Sequence, residues 1–540
     1  MEEKKEKKEK RLFLPQLFQD HMMLQREKPL RFYGEADEMV WKVSVEYTSK
    51  TGEISEKNEA EVLPDGQFLC SFPSLPADVG GTLQFYVNDE SEPEITLTDV
   101  CVGDIWVAAG QSNMEYFLRY DAHWNDIKKE SIREEIRMYN VPRIAYEGQE
   151  RNLPGDGYWF LQGDPAWAVF SAPGYCFARS LQEKIGVPVG VIGCNWGGTS
   201  ASAWMEKSYL EQPPLSVYLS EDEEELRGVD PEELYQESRR CWEYEDSYAH
   251  ELEWRTMMYG QTWEEQQTWM KMHQGDPVLP IGPYHHYRPC GLYDRMLKKV
   301  APFPVKGILW YQGESDEVHA DLYALLMEKL IQCFRDAWMD EQLPFLYVQL
   351  APFERWLECR GDRYPQVRAC QELVSKKVAN VWMTSISDLG DRDDIHPKFK
   401  REVGERLALL ARGKIYGEEL LCEPPECTGA KAAEEGILLS FVHTEGGIVC
   451  GPLAEQPFVV TKDGEKVDVS KVEVKGEQLL IKLKPMQTSS AVSEKMRTWS
   501  ISFAETPYYE VQIWNQAGLP LKPFHKEFHK EFHKEVSFAE

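Results

Sequence analysis

The sequence predicts an α/β protein: a mainly parallel sheet covered by helices in a three-layer domain, flanked by β-sandwich-like N- and C-terminal modules and carrying an acidic helical insertion. Three observations predict it. Between residues 99 and 415, apolar runs of strand composition alternate with amphipathic stretches of helical period, the pattern of a sheet buried on both faces. Before and after that region, short alternating runs separated by turn residues read as antiparallel strands. From 206 to 284 the alternation stops and a stretch rich in Glu, Trp, Tyr and Met takes its place.

Taken in order, residues 1–11 form an alternating Glu/Lys tail with no function assigned to it. Residues 12–98 contain LRFYGEA, WKVSVEYTS, AEVLPDGQFLCSFPSL and GGTLQFYVND, whose Pro-Asp-Gly and Gly-Gly turns suit a small antiparallel sandwich. The central domain spans 99–205 and 285–415. Its predicted strands are DIWVAAG, VPVGVIGCN, KGILWYQGES, PFLYVQLAP and VWMTSISD. Its predicted helices are SIREEIRMYN, YCFARSLQEKI, residues 320–338, residues 367–378, and one from Pro397 to about residue 414. The insertion, 206–284, reads as acidic helices whose aromatics serve packing before ligand binding, although it opens from a Gly-rich loop and could roof a site. Residues 416–518 read as the second β module. Residues 519–540 hold Phe-His-Lys-Glu three times, expected as a helical tail or a repeat expansion whose histidines would bind metal only adventitiously.

Composition narrows the function classes. At 540 residues the chain is too long for one hydrophobic core. No stretch approaches the roughly 20 continuous apolar residues of a membrane span. The opening MEEKKEKKEKRLF is charged where an export signal would be apolar, so a cytoplasmic protein is expected. Sixty Lys and Arg against 91 Asp and Glu give a net charge of −31, which disfavours nucleic acid and anionic membrane as partners. The 12 cysteines show no CxxC pairing and no histidine pattern, so neither a zinc site nor a disulfide framework is expected.

The chemistry is expected at DIWVAAGQSNM, residues 104–114, where a strand-like run ends at Gly110-Gln111-Ser112-Asn113. A serine at a strand-to-helix turn has its hydroxyl at the open edge of a sheet and helix-start N–H groups beside it, which suits a nucleophile. The plainer reading of such a serine is a helix cap. Ligands of parallel sheets bind beyond the carboxyl ends of the strands. Ser112, the Gly197-Gly198 loop, Gln312 and the loop from Asp388 to His396 all fall at such ends.

Five blocks then occur in order: GQSNM (110–114), NWGGTSASAW (195–204), RPCGLYDRML (288–297), ILWYQGESDE (308–317) and DIHPKFKREVGERLALLA (394–411). Together, and with the opening LFQDHMMLQREKPLRFYGEA, they resemble the sialate O-acetylesterase family of the SGNH-hydrolase superfamily. That resemblance implies an SGNH-type catalytic domain and a serine esterase that removes acetyl groups from a sugar or short oligosaccharide through an acetyl-serine, with no metal or cofactor. It implies Ser112 as nucleophile and His396 as general base, with Pro397 opening the following helix. It implies an oxyanion hole from the Ser112 and Gly198 backbone N–H groups and the Gln312 amide; the alternative for Gln312 is a buried amide that joins two loops. The triad acid is open. The superfamily's usual spacing of three gives Asp393, spacing of two gives Asp394, and Asp388 and Asp391 lie close. Gln111, Asn113, Trp196 and Glu314 are expected near the substrate, with Glu314 also readable as a structural pin. A sialic acid would ask for a basic group near the site and a neutral xylo-oligosaccharide for aromatic platforms, so an acetylxylan-type esterase stands as the alternative. A non-enzymatic carbohydrate-binding protein on an inactive scaffold is the second.

Overall fold

The computed structural model describes residues 11–151, 153–245, 248–484 and 497–530. Its centre is a strand of 16 residues, β1 (Ile95–Gly110), which joins two regions of sheet. The first part of β1 pairs antiparallel with Asp78–Val87 and parallel with Met23–Gln25, both in the N-terminal β region. Its second part is the middle of the parallel sheet. One strand therefore runs across the boundary expected at 98/99. Its last eleven residues are all buried, because both faces of the sheet are covered there.

Five further strands complete the parallel layer: β2 (Ile136–Asn140), β3 (Val189–Asn195), β4 (Gly307–Tyr311), β5 (Phe345–Val348) and β6 (Val381–Thr384), in the order β2-β3-β1-β4-β5-β6. The carboxyl ends of β3, β1 and β4 lie in register at Asn195, Gly110 and Tyr311. Four long helices cover the layer: α2 (Ala172–Ile185), α3 (Tyr323–Trp338), α4 (Tyr364–Lys377) and α5 (Lys400–Lys414), while α1 is the short turn Ser112–Glu115. Gly307 pairs with Trp106, so Trp310, three residues on, points to the opposite face. Trp106 meets Phe177 of α2 at 5.0 Å between ring centroids, and Trp310 meets Phe334 of α3 at 5.9 Å. The helices thus lie on two faces, α2 with α5 on one and α3 with α4 on the other. At Gly404 of α5 a Cβ would lie 2.6 Å from the Phe177 backbone nitrogen, so this glycine permits the close α2/α5 contact.

Three expectations are corrected. SIREEIRMYN is not a helix: its second half is β2, whose Ile136, Arg137, Met138 and Tyr139 are all buried between neighbours. Apolar residues in a short run fit either period, and the vacant sheet position beside β3 decides. Pro397 does not open a helix, since α5 starts at Lys400 and the Lys398 carbonyl instead accepts the Ala122 N–H at 2.9 Å. The Phe-His-Lys-Glu stretch starts as a strand, Phe524–Lys530, paired antiparallel with Arg497–Phe503. Phe524 and Phe528 share one face in a strand as in a helix, so their spacing does not discriminate between the two. Residues 531–540 of that repeat lie outside the described ones.

The insertion forms helices Val217–Glu225, Pro231–Glu245, Tyr248–Arg255 and Trp263–Met272, with a π-turn at Thr256–Gly260. Among the described residues, the chain after residue 425 forms two antiparallel four-stranded sheets and a two-stranded one, Ile448–Cys450 with Ile513–Asn515, around a separate core that includes Leu439, Val460, Leu479, Ile481 and Ile501. The cysteines carry no disulfide, and most are buried. No helix among the described residues is long and apolar enough to cross a membrane.

Candidate active site

At the end of β1 the backbone crosses that of β4 closely. Gly110 has φ +133°, and a Cβ there would lie 2.2 Å from the Tyr311 carbonyl oxygen, so only glycine fits. Gln111 follows as the N-cap of α1, its N–H donating to that same carbonyl at 3.2 Å. Ser112 is therefore the first residue of a helical turn beyond the sheet edge. The loop after β6 brings His396 to it, and His396 Nε2 lies 2.9 Å from Ser112 Oγ. Both residues are buried.

The imidazole is held well below its ordinary pKa, first by burial and then by the positive charges of Lys400, Arg255 and Lys398. A neutral ring with its proton on Nδ1 leaves the Nε2 lone pair facing the serine hydroxyl. The edges of Tyr259 and Trp356 close around the ring, at centroid distances of 5.0 and 5.1 Å and interplanar angles of 81° and 86°. Nδ1 is buried and has no hydrogen-bond partner among the described residues. The nearest acid is Asp394, whose Oδ1 stands 3.8 Å from Nδ1 and accepts the His396 backbone N–H at 2.8 Å. Burial pushes the Asp394 carboxyl up to about 7.

The structure places several expected site residues elsewhere. Asp393 is half exposed and pairs with Arg355 at 2.5 Å, so its direction is outward and Asp394 is the acid beside His396. The Gln312 amide is buried and spent: its nitrogen donates to the Thr199 carbonyl at 3.1 Å and to Asp316 Oδ2 at 2.6 Å, and its oxygen accepts from Tyr323 at 3.2 Å. It joins two loops. Asp316 is what captures it, a buried carboxylate that also accepts from Ser200 Oγ, Tyr218 Oη and the Ala201 N–H. Asn113, Trp196 and Glu314 are buried and present no open surface to a sugar. Trp196 stacks on His286 at 4.6 Å, and Asn113 donates to Glu314 and to the Ile395 carbonyl. Gln111 is buried as well, but among the described residues only its oxygen is engaged, by the N–H groups of Gly313 and Ser315.

Gly198, at φ +74°, lies under an exposed aromatic, since a Cβ there would fall 2.1 Å from Tyr287 Oη. Among the described residues neither the Ser112 nor the Gly198 N–H donates a hydrogen bond. The neighbouring Gly197 N–H is taken by Glu115 Oε2 at 2.7 Å. Glu115, the last residue of α1, is held in turn by Arg143 and by Arg255 Nη2 at 2.7 Å, and Glu251 bridges both arginines at 3.0 and 3.1 Å. Tyr259 completes this wall, donating to the Ser112 carbonyl at 3.4 Å. Glu251, Arg255 and Tyr259 come from the insertion, which thereby packs behind the serine. Sequence reasoning missed them because a pair such as Glu115 and Arg255, 140 residues apart, carries no local signal. Among the described residues no group of three His, Cys, Asp or Glu is arranged to hold a metal ion.

The family model for carbohydrate esterase, sialic acid-specific acetylesterase matches residues 102–229 and 267–411, together half of the chain. The chain belongs to that family. The matched segments carry Ser112, Gly198, Asp394 and His396, and they flank the stretch that supplies Glu251, Arg255 and Tyr259. Sialate O-acetylesterase of Mus musculus is 27% identical over 349 residues, 60% of this chain and 58% of the mouse protein. The Homo sapiens sialate O-acetylesterase is 25% identical over 373 residues, 64% of this chain and 60% of the human one. The match thus spans about three fifths of these relatives. A carbohydrate acetylesterase of known structure from Xanthomonas citri shares the fold, with TM-score 0.69 and 24% identity over 95% of this chain and 99% of that one.

Proposed function

We propose that this protein is a serine esterase of SGNH type that removes O-acetyl groups from a carbohydrate. The observation that carries the reading is the 2.9 Å contact between Ser112 Oγ and His396 Nε2 at the ends of the parallel strands. Family membership supports it independently, and the solved relative with the same fold is itself described as a carbohydrate acetylesterase.

In this reading Ser112 Oγ attacks the acetyl carbonyl carbon while its proton passes to His396 Nε2. Charge builds on the carbonyl oxygen, where the N–H groups of Ser112 and Gly198 are available, with the uncommitted amide nitrogen of Gln111 as a third donor in place of Gln312. The tetrahedral intermediate collapses, the sugar oxygen leaves with the proton held by His396, and Ser112 is left acetylated. Water then gives a proton to Nε2 as it attacks the acetyl carbon, the bond from that carbon to Ser112 Oγ breaks, the proton on Nε2 returns to Oγ, and acetate departs. Asp394 is the acid partner, its carboxylate favouring the imidazolium that forms in each step.

The substrate class is an acetylated sialic acid or a related O-acetylated sugar. The exposed Tyr287 above Gly198 gives the sugar ring an aromatic face, which keeps the acetylxylan-type reading as the second choice. The test is acetate release by the wild type and by Ser112→Ala from an O-acetylated sialic acid and an acetylated xylo-oligosaccharide. Ser112-dependent release from one of them is expected. Release that survives in Ser112→Ala, or none from either substrate and from an aryl acetate, overturns the reading.

A further inference from the structure

The nucleophile and the base are joined by more than their own contact. Asn113, the residue after Ser112, donates from Nδ2 to the carbonyl of Ile395, the residue before His396, at 3.0 Å. The same nitrogen donates to Glu314 Oε1 at 2.5 Å. One side-chain amide therefore clasps the turn that carries the serine to the loop that carries the histidine.

What orients that amide is Lys400. Its Nζ donates to Asn113 Oδ1 at 2.5 Å. An ammonium has three donors and no acceptor, so the Asn113 atom facing it must be the oxygen, and the amide nitrogen is thereby turned toward Ile395 and Glu314. The ammonium is fully buried, over the rings of Tyr116 at 4.9 Å and Tyr311 at 5.3 Å. Lys400 is also the first residue of α5, where the helix dipole disfavours a cation. A lysine buried against both desolvation and the dipole, four residues after His396, marks a placement that the fold sustains through its neighbours.

The surroundings supply the compensation. Asn113 and Tyr116 face Lys400 from α1 and the residue following it, Tyr311 from β4 and Glu314 from the next loop. Asp121 and Asp394 add negative charge, while Lys398 and Arg255 add positive charge around His396. Burial lowers the Lys400 ammonium to about 7, against the pull of Glu314, Asp394 and Asp121. After burial, Lys400 is the largest influence holding the imidazole low.

We propose that Lys400 is a positioning residue of this site: its ammonium fixes the Asn113 amide that ties Ser112 to the His396 loop. The proposal rests on the esterase reading above. The sign is set by charge. Removing a cation from beside an imidazole makes the imidazolium easier to form, so the pH at which the base is lost on acidification rises.

The test compares Lys400→Met, Lys400→Gln and wild type by pH profiles of kcat/KM on an aryl acetate, with thermal melts to verify folding. Lys400→Met loses both the charge and the amide orientation, and kcat is expected to fall about 10²-fold, the scale of a misplaced catalytic pair. Lys400→Gln keeps a donor for Asn113 Oδ1 without the charge, and it serves alone if the Met variant does not fold. Both are expected to move the acid limb up by about one pH unit. A role in packing alone lowers activity without moving that limb. A folded Lys400→Met that keeps the wild-type kcat, or a folded Lys400→Gln whose kcat falls as far as about 10²-fold although it keeps the donor, overturns the proposal. Failure of the esterase reading would show separately, as wild-type activity that does not depend on Ser112.

Discussion

Two buried polar networks flank Ser112, and they are built in opposite ways. On the side of the Gly197-Gly198 loop, Glu115 and Glu251 are matched by Arg143 and Arg255 in direct ion pairs. Guanidinium groups do not titrate in the accessible range, so this network is fixed in charge and acts as a rigid frame. On the side of His396, one ammonium meets a neutral amide and two aromatic faces, with carboxyls nearby. Burial shifts two of the groups there toward neutrality, Lys400 down and Asp394 up, each to about 7. In the proposed mechanism this is a division of labour: the half that would receive developing negative charge is locked, and the half that would move protons is left sensitive to pH.

The largest effect that would break this comparison is on stability. Glu115→Ala leaves Arg143 and Arg255 buried with Glu251 alone between them, one positive charge short of a partner, and about 3–5 kcal/mol of unfolding free energy should be lost in denaturant titrations. A loss under about 1 kcal/mol would show that the arginines find water or other partners. The next effect is on rate. Asp394→Asn should lower kcat about 10²-fold, because the imidazolium loses the carboxylate that stands beside Nδ1 while the backbone contact to His396 can persist. The smallest effect is at Asp393, whose pair with Arg355 is exposed. Asp393→Asn should change stability by no more than about 1 kcal/mol and leave kcat unchanged. If the two Asn variants were reversed in kcat, the pH-sensitive half would be assigned to the wrong acid.

Much of this architecture is legible in the sequence, for a physical reason. Strands buried on both faces need continuous apolar runs, and DIWVAAG and VPVGVIGCN supply them directly. The turn at Gly110-Gln111-Ser112 is legible because only glycine tolerates the close approach of Tyr311. What fails is whatever depends on partners far along the chain. Asp393 and Asp394 are neighbours whose roles differ only because Arg355 waits on one side and His396 on the other. Gln312 reads as an oxyanion donor or as a loop-joining amide until Asp316, Thr199 and Tyr323 are seen to surround it. The insertion reads as helical, but nothing in its composition says that Arg255 reaches Glu115 or that Tyr259 reaches Ser112 and His396.

The most direct measurement of the central claim is mass spectrometry of protein quenched during turnover of an acetyl ester. The account predicts that the peptide containing Ser112 carries one added acetyl group in the wild type, formed and lost at rates consistent with turnover, and that Ser112→Ala carries none and releases no acetate. Steady acetate release with Ser112 never acetylated, or persisting in Ser112→Ala, would contradict it.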